Sequence, residues 1–274
     1  MSVLTAGRQI SGALHALRSH WPEYLMEAWG LGMFMVSAGL FTILLEFPGS
    51  LVHQAIADPD MRRALIGLAM GLTAIGIIYS PWGQQSGAHL NPEVTLTFMR
   101  LRKVAAWDAL FYIIAQIVGG TLGVVLVALA LGEIFTEHPV SYAATLPGSQ
   151  GAIIAFIAEY VISLGLMLTV LWVSNTEKIS RYTGVFAGIL IATYITFEAP
   201  YSGMSMNPAR TFASAAPGGI WNDIWVYFSA PVLGMLSAVE VYHLIKPKGL
   251  VKCAKLDHSP QRRCIHCGYQ PPHF

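Results

Sequence analysis

Two stretches decide the architecture of this chain: Gly87-Ala88-His89-Leu90-Asn91-Pro92-Glu93 and Gly203-Met204-Ser205-Met206-Asn207-Pro208-Ala209. In each, Asn, a preferred helix N-cap, stands directly before Pro, which is favoured at the first helical position because its missing N–H is not needed there. Each opens within an apolar stretch, 88–101 and 203–216, too short to cross a bilayer. The two motifs repeat at an offset of 116 residues, and Ala115-Gln116-Ile117-Val118-Gly119 is echoed by Ala230-Pro231-Val232-Leu233-Gly234 at 115. The chain is built from two related halves.

Six further segments are long and apolar enough to span: 24–45, 63–81, 105–131, 151–173, 182–199 and 224–245. Their continuous apolar runs, without a period of two, exclude a membrane β-barrel. Three spans per half is an odd number, so the second half is inserted upside down relative to the first. Inverted repeats of this kind build transporters and channels around a midplane site where broken helices meet. Short half-helices entering from opposite sides would point their positive dipole ends at one another there. The predicted fold is all-α: six transmembrane helices plus two re-entrant half-helices.

Composition agrees. Apolar residues make up 54% of the 274, and charged residues 11%, against about 25% in ordinary globular chains. The 26 glycines suit helices that pack closely in a membrane. These values exclude a soluble globular protein. Residues 1–20 hold Arg8, His15, Arg18 and His20 and no long apolar run, so no cleavable signal peptide is expected. All three cysteines lie in the C-terminal tail, so no disulfide framework is expected to support the fold.

Arg8, Arg18, Arg100, Arg102, Lys103, Lys178, Arg181 and the tail residues Lys246, Lys248, Lys252, Lys255, Arg262 and Arg263 share one side, thirteen of the sixteen basic residues. Arg62, Arg63 and Arg210 fall on the other. The positive-inside rule makes the first side, with both termini, cytoplasmic, in a plasma or bacterial inner membrane. The basic tail is read as marking that side or touching anionic lipid rather than nucleic acid.

The two Asn-Pro loops, with Ser202 and Arg210 extending the second, resemble the paired signature loops of the aquaporin, or major intrinsic protein, family. The resemblance covers about residues 22–246 and includes Glu27, Gln116 and Glu159. It implies a channel domain over 22–246, with repeats near 22–131 and 151–246, between an N-terminal segment 1–21 and a tail 247–274. It further implies a homotetramer with a pore through each monomer. Asn91, Pro92 and Glu93 with Asn207, Pro208 and Ala209 would form the pore midplane, where the two asparagines donate hydrogen bonds to the permeant. Glu27 and Glu159 would hold the backbone amides of the loops. Met70, Ile195, Met204 and Arg210 would match the family's selectivity filter.

That filter lacks the histidine and aromatic pairing of strict water channels and is more like the nodulin-like and glycerol-conducting branches. Thr211, where many glycerol facilitators carry Asp, departs from the glycerol pattern. Glu93, where the family usually has Ala, is the main departure. It caps the half-helix, held by amides, or it weakens cation exclusion by offsetting the helix-end charge, or a low-dielectric site keeps it protonated and neutral. The expected function is passive passage of water and small uncharged solutes, with ions excluded by the half-helix dipoles and Arg210. The alternatives are a pH-gated or ion-leaky channel using Glu93, and a closed structural membrane protein. No nucleophile–base set or phosphate-binding loop points to an enzyme.

In the tail, Cys253, His258, Cys264 and Cys267 have the ligand types and the close Cys-x-x-Cys pair of a structural zinc site. His266 and His273 are spare ligands, and a disordered basic tail is the alternative. No cofactor is expected for transport. Because the spans end before residue 249, deleting 249–274 is expected to spare the pore.

Overall fold

The computed structural model describes residues 3–246 and 251–271, with side chains from Ser11 onward. Lys248 and His273, and the side chain of Arg8, lie outside the described residues. Eight principal helices follow in order: α1 Val3–Glu46, α2 Pro59–Tyr79, α3 Pro92–Arg100, α4 Ala106–Leu131, α5 Ala152–Ser174, α6 Thr183–Phe197, α7 Pro208–Gly218 and α8 Ile224–Ile245. Helices α3 and α7 are the two half-helices, of 9 and 11 residues.

Five of the helices are long and apolar enough to cross a bilayer by length and composition. The fifth crossing, α6, has 15 residues and is extended by the turns Ser180–Tyr182 before it and Ala199–Ser202 after it. Leu25, Leu126, Ile157 and Leu233 stand exposed on the outer faces, where lipid or an apolar partner surface would cover them favourably. The first helix departs from expectation. It runs some twenty residues N-terminal to the predicted span and carries Pro22 within it, because leaving the hydrocarbon ends the apolar pattern without ending backbone hydrogen bonding.

The halves pack alike. Helix α1 lies against α4 as α5 lies against α8, while α2 crosses α6 between them. Each crossing turns on glycine at backbone contact. A Cβ at Gly119 would collide with the Ala28 carbonyl, and one at Gly234, its repeat partner, with the Tyr160 carbonyl. The apolar echo at an offset of 115 is thus a packing requirement shared by both halves. At the α2–α6 crossing Gly71 and Gly188 abut each other's carbonyls in the same way.

Both ends of the described chain lie on one face, here the terminal face. Arg263 of the tail reaches Glu23 near the start of the first span at 2.9 Å, and the Lys252 amide donates to Asn175 Oδ1 at the end of α5 at 2.7 Å.

Candidate functional site: a pore between two half-helices

The half-helices begin as their sequences demand. Asn91 caps α3 by accepting from the Glu93 amide at 2.9 Å, and Asn207 caps α7 by accepting from the Arg210 amide at 3.1 Å. The loops then cross-tie. Asn91 Nδ2 donates to the Met206 carbonyl at 2.6 Å and Asn207 Nδ2 to the Leu90 carbonyl at 2.7 Å. A side-chain amide has two N–H bonds, so each asparagine keeps one after tying the opposite loop, and both residues line the central cavity.

The approach to each cap is unusual backbone. Ala88 and Leu90 in the first loop, and Met204 and Met206 in the second, have φ of 52–53°. That left-handed conformation costs a non-glycine residue roughly 1–2 kcal/mol. Two fully buried carboxylates hold it. Glu27 accepts from Ser86 Oγ (2.7 Å), the His89 amide (3.0 Å) and the Leu90 amide (2.7 Å). Glu159 accepts from Ser202 Oγ (2.7 Å), the Ser205 amide (2.6 Å) and the Met206 amide (2.7 Å). With their amides turned onto the carboxylates, both loops keep an extended path that α-helix or sheet would not permit.

Around this frame lie three residues that sequence reading missed, Ser86, Tyr112 and Tyr227. Tyr112 and Tyr227 donate to the Ser86 and Ser202 carbonyls at 2.7 and 2.5 Å, and the two serines cap Ala88 and Met204 at 3.1 and 3.0 Å. Each pair obeys the 115–116 offset, so carrying the self-comparison beyond the motifs would have found them. The halves differ at Gln116, which donates to Glu27 at 2.9 Å where the second half has Pro231.

A cavity of about 480 Å³ runs between the helices. Met70, Ile195, Met204 and Arg210, drawn from α2, α6, the second loop and α7, all stand on its wall. The Arg210 Nη1 is buried without a hydrogen-bond partner, which leaves a positive donor among apolar neighbours. Glu46 and Arg63 line the wall toward the face opposite the termini, and Leu256 of the tail lines it as well.

Pro92, Glu93, Pro208 and Ala209 are not on that wall. Asn91 and Val94 line it, as do Asn207 and Arg210; residues three apart share a helix face, and those between them turn away. Glu93 is 2% exposed, and its Oε2 has no hydrogen-bond partner. The cap at this position engages the Glu93 backbone amide.

The tail cluster does assemble. The ligand atoms of Cys253, His258, Cys264 and Cys267 all lie within 4.8 Å of one another. The Cys253–Cys264 sulfurs are 3.4 Å apart, and His258 Nε2 lies 3.2 Å from Cys267 Sγ. Zinc–sulfur bonds of about 2.3 Å in a tetrahedron put sulfurs roughly 3.8 Å apart, within this range. The hydrogen bond from Cys253 holds the Cys264 thiol well below its ordinary range, against the effect of burial, with the Cys267 and His266 amides assisting. His266 is not part of the cluster. Its ring stacks on His89 with centroids 5.5 Å apart.

The comparisons with known proteins agree with this geometry. Residues 17–242 match the model of the family described as Major intrinsic protein. The chain is similar to the putative aquaporin NIP4-1 of Arabidopsis thaliana, 36% identical over 209 residues, covering 76% of this chain and 72% of that protein. It is also similar to aquaporin NIP6-1 of the same plant, 34% identical over 225 residues, covering 81% and 70%. Its fold is similar to the X-ray structure of the aquaglyceroporin from Plasmodium falciparum, with a TM-score of 0.67 at 22% identity, over 82% of this chain and 96% of that one. Paired capped half-helices cross-tied at the centre of six spans, together with these matches, make the chain a member of the major intrinsic protein family and a membrane channel for water and small solutes.

Proposed function

We propose that the channel passes water and small uncharged solutes passively and rejects ions, with the midplane at Asn91 and Asn207 and the filter at Met70, Ile195, Met204 and Arg210. The observation that carries this reading is the cavity wall itself, where all four filter residues and both asparagines meet. A permeant sheds water in the apolar ring, regains hydrogen bonds from Arg210 and the two spare asparagine N–H groups, and leaves. At the ring and midplane a cation meets the Arg210 charge, the asparagine donors and two helix N-termini. Glu27 and Glu159 position the loops and touch no permeant. The position of Glu93 off the wall favours ion exclusion over the ion-leaky reading.

Met204→Ala tests the filter. The side chain occupies the wall from the second loop, so its truncation widens the ring. In proteoliposome light scattering the variant should pass glycerol several-fold faster relative to water. An unchanged glycerol-to-water ratio would place Met204 outside the constriction.

The same reading includes a channel domain over 22–246, both termini in the cytoplasm of a plasma or bacterial inner membrane, and a homotetramer. It is supported by the basic residues gathered on the terminal face and by family membership. It also includes one structural zinc ion per chain at Cys253, His258, Cys264 and Cys267, supported by the mutual spacing of the four ligand atoms. Elemental analysis of protein purified without an affinity tag should give about one zinc per chain, and Cys264→Ser should abolish it. Metal-free protein obtained without chelators would remove the zinc reading.

A further inference from the structure

The tail packs against the first signature loop and reaches the pore cavity through Leu256. Its segment 254–256 lies along the loop that carries the first Asn-Pro motif: the Leu256 amide donates to the Gly87 carbonyl at 3.1 Å, and His89 Nε2 donates to the Ala254 carbonyl at 2.9 Å. Leu256 is 6% exposed and stands on the wall of the pore cavity beside Ala88 and His89. An apolar side chain from outside the six spans thus closes on the terminal end of the pore. The expectation that the tail could be deleted without touching the pore does not fit this placement.

Polar contacts pin the rest. Lys255, buried, donates from Nζ to the Gln84 and Arg263 carbonyls at 2.8 and 2.7 Å, and Gln84 donates to Asp257 at 2.8 Å. Arg263 engages both oxygens of the fully buried Glu23. The His266 ring lies between His89 and Tyr112, and its Nε2 approaches the Ser86 carbonyl at 3.3 Å. Gly87 has no Cβ, and one placed there would press on Lys255 at 3.1 Å.

Beyond these contacts to the channel and the Lys255 bond to the Arg263 carbonyl, the cysteine–histidine cluster is the main tie between the two parts of the tail. Among the described tail residues only Val251, Ala254, Leu256 and Cys264 are buried apolar groups, and the backbone forms no regular helix or strand. So short a segment needs a staple such as a metal to keep one conformation. The cluster joins Cys253, immediately before the pore-facing segment, to Cys264 and Cys267, which flank His266. The two parts that touch the channel are therefore tied at the cluster.

We propose that residues 251–271, folded around a zinc ion, form a plug that closes the terminal mouth of the pore, so that zinc occupancy sets the open fraction of the channel. This rests on the zinc reading above. With the metal bound, the loop from Cys253 to Cys264 is short and rigid, and Leu256 is held against Gly87. Without it, only the Gly87, His89 and Lys255 hydrogen bonds hold the segment, and Leu256 leaves the mouth more readily.

The test is stopped-flow light scattering of proteoliposomes holding the full-length chain, with zinc content measured on the same samples. Zinc-loaded protein should pass water slowly, and removing zinc with EDTA on both sides of the membrane should raise the rate on the order of tenfold, the change expected when a mouth closed in about nine of ten copies opens. Leu256→Ala should be fast while retaining one zinc per chain, and Cys264→Ser should be fast and zinc-free. Leu256→Ala keeps every ligand, so the inference stays testable even if the cysteine variant misfolds. Bound zinc with equal rates before and after EDTA, and a Leu256→Ala rate equal to wild type, would overturn the plug while leaving the zinc site standing. Protein that takes up no zinc would overturn both the zinc reading and the metal control.

Discussion

Glu159→Ala is expected to abolish flux and to lower stability by several kcal/mol. The change orphans the Ser205 and Met206 amides and the Ser202 hydroxyl in a buried site. Each buried unpaired donor costs about 1–3 kcal/mol. Met204 and Met206 then keep their left-handed conformations with nothing to oppose the strain, at roughly 1–2 kcal/mol each. A loss of about 5 kcal/mol rivals the whole stability of a small domain, and the loop carrying Asn207 should collapse into the pore. Glu159→Gln, which keeps one acceptor oxygen and points an N–H at amide donors, should fall between. Thermal melting in detergent and stopped-flow water flux measure the two consequences. An alanine variant that melts and conducts like wild type would show that the loop is held by its asparagine ties instead. Glu27→Ala should behave alike in the first half, with Gln116 as a further orphan.

Arg210→Val should leave the fold intact and admit cations. The Arg210 Nη1 has no hydrogen-bond partner, so its removal breaks no hydrogen bond at that atom. The Arg210 backbone amide, which closes the α7 cap, is unchanged by the substitution. What disappears is a positive charge on the wall of an apolar ring. A unit charge about 5 Å from a passing cation raises its energy by roughly 3 kcal/mol at an effective dielectric of ~20. Proton and alkali-cation leak should therefore rise on the order of a hundredfold, while water flux changes little. A pH-sensitive dye trapped in proteoliposomes reads the proton leak directly. A folded, water-conducting variant that stays proton-tight would assign ion rejection to the opposed half-helix ends alone.

The architecture was legible because membrane burial writes itself into sequence in a simple code. A span needs a long apolar run, and a half-helix within the membrane needs a cap that starts it. Five of the predicted spans fall within a few residues of α2, α4, α5, α6 and α8. Asn91-Pro92 and Asn207-Pro208 start α3 and α7 as local capping chemistry requires. Glycines at equivalent places in the two halves marked the crossings. The first helix was underestimated because Arg18 and His20 signal where lipid stops, whereas the helix continues past that point. Ser86, Tyr112 and Tyr227 carry no motif of their own and gained meaning only when folding brought Ser86 to Glu27 and the two tyrosines to the Ser86 and Ser202 carbonyls.

Sequence alone thus determined the spans, the inverted repeat, the half-helix starts and the ligand spacing of the tail, since each depends on residues near one another in the chain or on a repeated offset. Tertiary structure alone decided the faces and the distant partners. Glu93 belongs to the signature loop in sequence, yet helical rotation carries it off the wall that Asn91 and Val94 line. Leu256 lies beyond the last span, yet it reaches that wall beside Gly87. No periodicity or local spacing records such a contact, because it is made by side chains and amides far apart along the chain that meet only after the helices have packed.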